Sequence, residues 1–147
     1  MQRPTSTRRR IVAAALSIPL IVTLAPLGAQ ARSVYENRRP VAHRICHFDW
    51  RDGARQVKKL IRCAAARWDS PGGRRKALSV ARCESGFNPR AFNSGGYAGV
   101  YQHAVRYWPG RADRWGFPDR SVFNGRANII VSIRMARAVG WSPWSCA

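Results

Sequence analysis

Apolar residues recur in the middle of the chain at the spacing of a helix. Val57, Leu60, Ile61, Ala64 and Trp68 fall at i, i+3, i+4, i+7 and i+11, while Arg55, Lys58, Lys59 and Arg62 take the other face. This predicts an amphipathic helix opening near Asp52 and broken by Asp69-Ser70-Pro71-Gly72-Gly73. A second helix is expected from about Arg74 to Glu84, with Ala77, Leu78 and Ala81 on the buried stripe. Gly86 and Pro89 end it, so Glu84 belongs to its last turn. From Asn88 to Tyr101 the composition turns to Asn, Ser, Gly and Tyr, which excludes a helix, and Asn93-Ser94-Gly95-Gly96 reads as a hairpin turn or tight loop. A short helix is expected around Ala104 to Trp108, stopping at Pro109-Gly110, with a further turn at Gly116-Phe117-Pro118. The last long helix starts near Ser121 or Asn124 and runs to about Val139. Its apolar positions Ala127, Ile130, Val131, Ile133, Met135 and Ala138 cover most of its circumference, which marks it as central to the core. The pattern is α+β and mainly α.

The N-terminus has a different character. Arg3, Arg8, Arg9 and Arg10 precede an uncharged apolar stretch from Ile11 to Leu27, and Ala29-Gln30-Ala31 supplies small residues at both cleavage positions. Residues 1–31 therefore read as a cleaved signal peptide, with Thr7-Arg8-Arg9-Arg10-Ile11-Val12 also resembling a twin-arginine export signal. Pro19 and Pro26 weaken this stretch as a membrane span, which needs about 20 apolar residues. Residues 32–45 form a loose basic lead-in and residues 46–147 one domain. Removing 31 of the 147 residues leaves 116, enough for a single core and too few for two.

Export changes what the charge means. The whole chain carries +19, and without the four signal-region arginines 22 basic residues face 7 acidic ones, a balance of +15. Such a surface attracts polyanions. For an exported monomer these are anionic cell-wall polymers and membrane surfaces rather than nucleic acid, for which no motif is present. The expected location is extracellular or cell-wall associated.

The exported part holds four cysteines, Cys46, Cys63, Cys83 and Cys146, which read as two disulfides with three possible pairings. Cys46–Cys63 would pin the preceding loop against the first helix, and Cys83–Cys146 would tie the tail across the end of the second. That pairing is the expected one. The other two leave the second helix tied differently. A zinc site built on Cys46, His47 and Cys63 is disfavoured, because no C-x-x-C or H-x-x-x-H spacing accompanies it. No metal or cofactor is expected.

Acids are scarce after the signal: Glu36, Asp49, Asp52, Asp69, Glu84, Asp113 and Asp119. Most sit in polar or helix-starting contexts, as caps or solvated side chains. Glu84 instead follows an apolar helix stripe. A carboxyl group held there against apolar side chains has its neutral form favoured, as a general acid requires.

The sequence around it, Cys83-Glu84-Ser85-Gly86-Phe87-Asn88-Pro89-Arg90-Ala91, resembles the catalytic-glutamate motif E-S-x-F-N-P-x-A of soluble lytic transglycosylases. Gly99-Val100-Tyr101-Gln102 is similar to their G-L-M-Q motif, and Asn128-Ile129 to the N-I that starts their third. The Cys-Glu-Ser start and the end Gly140-Trp141-Ser142-Pro143-Trp144-Ser145-Cys146 also resemble resuscitation-promoting factors. The resemblance covers residues 74–146. It departs at Val100-Tyr101, where Leu-Met is usual, and at Ser132 and Met135, where Gly and Tyr are usual.

The resemblance implies a lysozyme-like fold, a helical domain with a small hairpin or loop region beside an active-site cleft. It implies cleavage of the MurNAc–GlcNAc β-1,4 bond of peptidoglycan glycan strands with Glu84 as the one catalytic acid. Most glycosidases use two carboxyl groups. A single-acid enzyme takes the second role from the substrate, whose 2-acetamido group or 6-hydroxyl closes on C1. Attack by the 6-hydroxyl leaves a 1,6-anhydro end and attack by water a hydrolysed one, and both outcomes stay open. By match, Ser85, Gln102 and Asn128 count among the substrate-binding residues: Gln102 would reach the sugar, Asn128 would support the site from the last long helix, and Ser85 would orient Glu84 or its neighbours. Tyr97 and Tyr101 either stack on sugar rings or pack internally. Trp141 and Trp144 read as packing residues, and His103 matches no catalytic residue of the family. The alternative is a non-catalytic cationic wall- or membrane-binding protein of the same fold.

Overall fold

A computed structural model of the protein describes residues 45–147. The signal-peptide reading of residues 1–31 and nearly all of the lead-in lie outside the described residues. The domain contains α1 (Ala54–Arg67), α2 (Gly73–Ser85), β1 (Tyr97–Ala98), β2 (His103–Ala104), a 3₁₀ turn (Val105–Tyr107), α3 (Trp108–Arg114) and α4 (Gly125–Val139). It is mainly helical with one two-stranded antiparallel sheet, as the polar and apolar pattern predicts. No helix among the described residues is long and apolar enough to cross a membrane.

α4 is the centre. Ala127 through Ile133 are buried without interruption, so the helix is enclosed on all sides, and α1 and α3 pack against it. Its start is set by Asn124, whose side chain accepts the Ala127 N–H at 3.0 Å, an N-cap bond that selects Asn124 over Ser121. Ala138, expected on the buried surface, is exposed. α1 buries Val57, Leu60, Ile61, Ala64 and Ala65 against α2 and α4. α2 buries Ala77, Val80 and Ala81. Leu78 does not belong to that stripe. It is half-buried and faces the groove between α1 and α2, because it sits about 100° round the helix from Ala77.

The expected helix at Ala104–Trp108 is corrected. Val105–Tyr107 is a 3₁₀ turn that runs into α3, and Pro109 lies in the first turn of α3 instead of ending a helix. Proline is tolerated there because its missing N–H would have had no partner in any case. The hairpin region holds two turns. Asn93–Gly96 is enclosed by a Phe92–Ala98 bridge, and Gly99–Gln102 joins β1 to β2 with Tyr97 opposite Ala104 and Ala98 opposite His103.

Both disulfides follow the expected pairing. Cys46–Cys63 spans 17 residues and fastens the entering segment to α1, while Cys83–Cys146 spans 63 and fastens the tail to the end of α2. With Cys46 and Cys63 bonded to each other, the zinc alternative has lost its thiolates.

Candidate active site

Glu84 occupies the last turn of α2, and the end of that helix is set one step beyond it. Gly86 has φ 60°, a left-handed conformation open to glycine at little cost, and its N–H donates to Arg82 O at 2.9 Å. Phe87 N–H follows to Ala81 O at 3.4 Å. The chain therefore turns away immediately after the glutamate. From the other side the Cys83–Cys146 disulfide draws in the tail, with Cα atoms 5.8 Å apart, and sets Cys146 N–H at 3.3 Å from Glu84 Oε1.

Glu84 is half-buried. Burial pushes its pKa above the ordinary carboxylate value, and the Cys146 hydrogen bond opposes that shift less strongly. No neighbouring charge contributes. Oε1 is engaged as an acceptor, which leaves Oε2 to carry the proton. The arrangement provides one carboxylic acid biased toward its neutral form and still partly open to solvent.

The adjacent hairpin is tied to this helix end by side chains. Ser85 Oγ donates to Val100 O at 2.7 Å, locking the second turn onto α2 beside the acid. Asn93 accepts Tyr97 N–H at 3.2 Å through Oδ1 and donates to Gln102 Oε1 at 3.2 Å through Nδ2. Gln102 Nε2 donates to Gly99 O at 2.9 Å and to Ala91 O at 3.3 Å. Both amide hydrogens of Gln102 are thus committed within the hairpin, and only the second lone pair of Oε1 remains for a ligand. Gln102 holds this position at φ 44°, a conformation uncommon for a residue other than glycine.

Asn128 and Tyr101 are where the structure corrects the sequence reading. Asn128 is fully buried, so it cannot touch substrate. Its Oδ1 accepts Tyr101 N–H at 2.9 Å, and its Nδ2 donates to Val122 O at 3.0 Å and Ala98 O at 3.4 Å. It is a positioning residue that fixes the hairpin on α4. Gly99 makes this possible: a Cβ there would lie 2.2 Å from Asn128 Nδ2. Tyr101 is also fully buried, with its ring stacked 5.8 Å from Trp141 and set edge-on to Trp144 at 6.2 Å. Its hydroxyl donates to Ala77 O at 2.9 Å. Such a ring has no face for a sugar. Tyr97 keeps the other possibility, being 41% exposed beside a cleft of about 150 Å³ that it lines with Val105 and Arg106.

Trp141 and Trp144 are packing residues, buried, with their indole N–H groups donating to Pro71 O at 2.8 Å and Tyr101 O at 2.9 Å. No hydrogen bond joins Glu84 to Gln102 or Tyr97. The path from the acid to the hairpin runs through Ser85 and Val100.

Sequence reasoning missed a buried polar chain behind the hairpin. Arg111 Nη1 lies 2.9 Å from His103 Nδ1, and His103 Nε2 lies 2.7 Å from Ser132 Oγ, which in turn donates to Asn128 O at 2.7 Å. Arginine has only donors, so Nδ1 accepts and the histidine is the neutral Nε2–H tautomer. Burial first, and then the Arg111 charge, depress its pKa to about 3. With both ring nitrogens engaged, His103 is not available as a base. The signal was present in the sequence: Ser132 departs from the resembled motif, and its hydroxyl is the partner that His103 needs.

Among the described residues no group of three or more His, Cys, Asp or Glu side chains is placed to hold a metal ion. Comparison with protein-family models, curated proteins and solved structures finds no match for the chain.

Proposed function

We propose that the protein is a secreted peptidoglycan-cleaving glycosidase, a lytic transglycosylase or muramidase with a lysozyme-like fold, in which Glu84 is the catalytic acid. The observation that carries this reading is the state of Glu84. A lone carboxyl group is kept toward its neutral form by burial at a helix end, with no second charge acting on it. Support also comes from the hairpin whose backbone is anchored through Ser85 beside it. In the reaction Glu84 Oε2 gives its proton to the glycosidic oxygen as the C1–O bond breaks. The carboxylate then takes a proton from the attacking hydroxyl as the new bond to C1 forms. When the hydroxyl is the sugar's own 6-hydroxyl the product is a 1,6-anhydro end, and when it is water the product is a reducing end.

Glu84→Gln retains size and hydrogen bonding but has no proton to give. Release of muropeptides from purified sacculi, followed by mass spectrometry, should fall by about 10²-fold or more. Circular dichroism should show an unchanged fold. Release at near wild-type rate would overturn the assignment. The wild-type profile should lose activity on the alkaline side at a pH above the ordinary glutamate range, since the acid must be protonated and its pKa is raised.

A further inference from the structure

The outer faces of α1 and α2 are charged in one sense only. The two helices carry Arg55, Lys58, Lys59, Arg62, Arg67, Arg74, Arg75, Lys76 and Arg82, against a single acid, Glu84. Between the helices runs a groove of about 320 Å³ whose walls are Lys58 and Arg62 on one side and Arg75 and Arg82 on the other. Its floor is apolar, made by Leu78 and by Phe87, over whose ring Lys58 sits at 4.6 Å. None of Lys58, Arg62, Arg75 and Arg82 is paired with a carboxylate among the described residues, so the groove keeps its charge.

We infer that the groove binds a linear phosphate polymer, its phosphate groups held by the guanidinium groups and its linking units lying over the apolar floor at Leu78. Three of the four cations are arginines, whose planar forks match phosphate oxygens in pairs. The cations extend along the helices, Lys58 to Arg62 by about 6 Å and Arg75 to Arg82 by about 10 Å, too far for one phosphate to meet them all. Repeated phosphates along a chain fit that spread. The apolar floor suits short hydrocarbon linkers, whereas stacked bases would need an open aromatic face and Phe87 is capped by Lys58. Arg75 and Arg82 lie on the side of α2 roughly opposite Glu84, at about 100° per residue, so a bound polymer would not cross the acid. The inference does not depend on the proposed cleavage activity.

The test uses the full chain carrying Glu84→Gln, so that binding is read without turnover. Binding of fluorescent poly(glycerol phosphate) is measured by anisotropy across a salt series. Arg62→Gln, Arg75→Gln and Arg82→Gln together should weaken it by about tenfold or more and flatten the salt slope by about 2, as expected for three lost phosphate contacts. Arg67→Gln, Arg114→Gln and Arg120→Gln together remove the same charge elsewhere and should cost less than about threefold. Equal losses in the two triple variants would show that net charge alone acts, and would overturn the assignment. So would equal affinity for polyglutamate, tighter groove-dependent binding of single-stranded RNA, or a groove-dependent preference for phosphatidylglycerol vesicles. Thermal melting of both variants, expected to match the parent, separates lost contacts from lost fold.

Discussion

The helix pair α1–α2 and the hairpin segment 92–104 share one core and are held in it by opposite means. The helices are held by many interchangeable apolar contacts, Val57, Leu60, Ile61 and Ala64 from one and Ala77, Val80 and Ala81 from the other. The hairpin has strands of only two residues each, too short for their own ladder to hold. Its shape rests on Ser85, Asn93, Gln102 and Asn128, each bonding backbone groups or one another. In the helices a lost contact is shared among neighbours. In the hairpin each polar side chain answers for particular backbone groups, and removal of Asn128 leaves its groups buried without partners. Precision beside the acid is thus concentrated in a few residues, and robustness lies in the helices.

The sharpest way to break this contrast is Gly99→Ala. The added methyl would meet Asn128 Nδ2 at 2.2 Å and Val122 O at 2.6 Å, at a backbone φ of +81°. A loss of about 4 kcal/mol or more is expected in urea unfolding, from overpacking and backbone strain together. A loss below about 1 kcal/mol would mean that the hairpin yields easily and is not a rigid support.

Asn128→Ala comes next. It leaves the buried Tyr101 N–H without an acceptor and removes donors from Val122 O and Ala98 O. Unfolding should show a loss of about 3 kcal/mol, and the proposed wall cleavage should fall with it even at temperatures where the protein stays folded. Unchanged activity in the folded variant would separate Asn128 from the site.

His103 sharpens the comparison through pH. Its folded pKa, about 3, lies below the ordinary value of 6.5 because it is buried and faces Arg111. Between these values the unfolded chain binds more protons, so stability falls as pH falls through that window. Wild type should lose about 2 kcal/mol relative to His103→Gln between pH 7 and pH 5. Paired denaturant titrations measure this, and a constant difference across the range would refute it. The smallest effect is expected at Arg55→Ala on the exposed face of α1, within about 0.5 kcal/mol of wild type. A loss comparable to that of Asn128→Ala would erase the distinction between the two regions.

How much was legible follows from the same division. α1, α2 and α4 could be read from periodicity because a helix is specified by residues three and four apart. Leu78 shows the limit: it fits the apolar pattern, yet the groove between the helices takes it and Val80 goes to the core. The Asn93–Gly96 turn was visible from its composition. The Gly99–Gln102 turn was not recognised as one, because Val100 and Tyr101 are not turn residues and the conformation is imposed by Ser85 and Asn128 from outside. Pro109 misled in the other direction, since a proline ends a helix in its interior and opens one in its first turn.

The sequence alone determined the helical segments, the strongly basic surface, the even set of cysteines and the place of Glu84 in the last turn of α2. These depend on near neighbours in the chain or on composition. Tertiary structure decided the rest. It turned Tyr101 inward onto Trp141 and Trp144, buried Asn128 against the Tyr101 backbone, and joined His103 to Ser132 and Arg111. It also pushed the Glu84 pKa upward by burying the carboxyl, and brought Cys146 N–H, which opposes that shift, from 62 residues away. Burial and long-range hydrogen bonds depend on which elements meet in space, and no local pattern of residues carries that information.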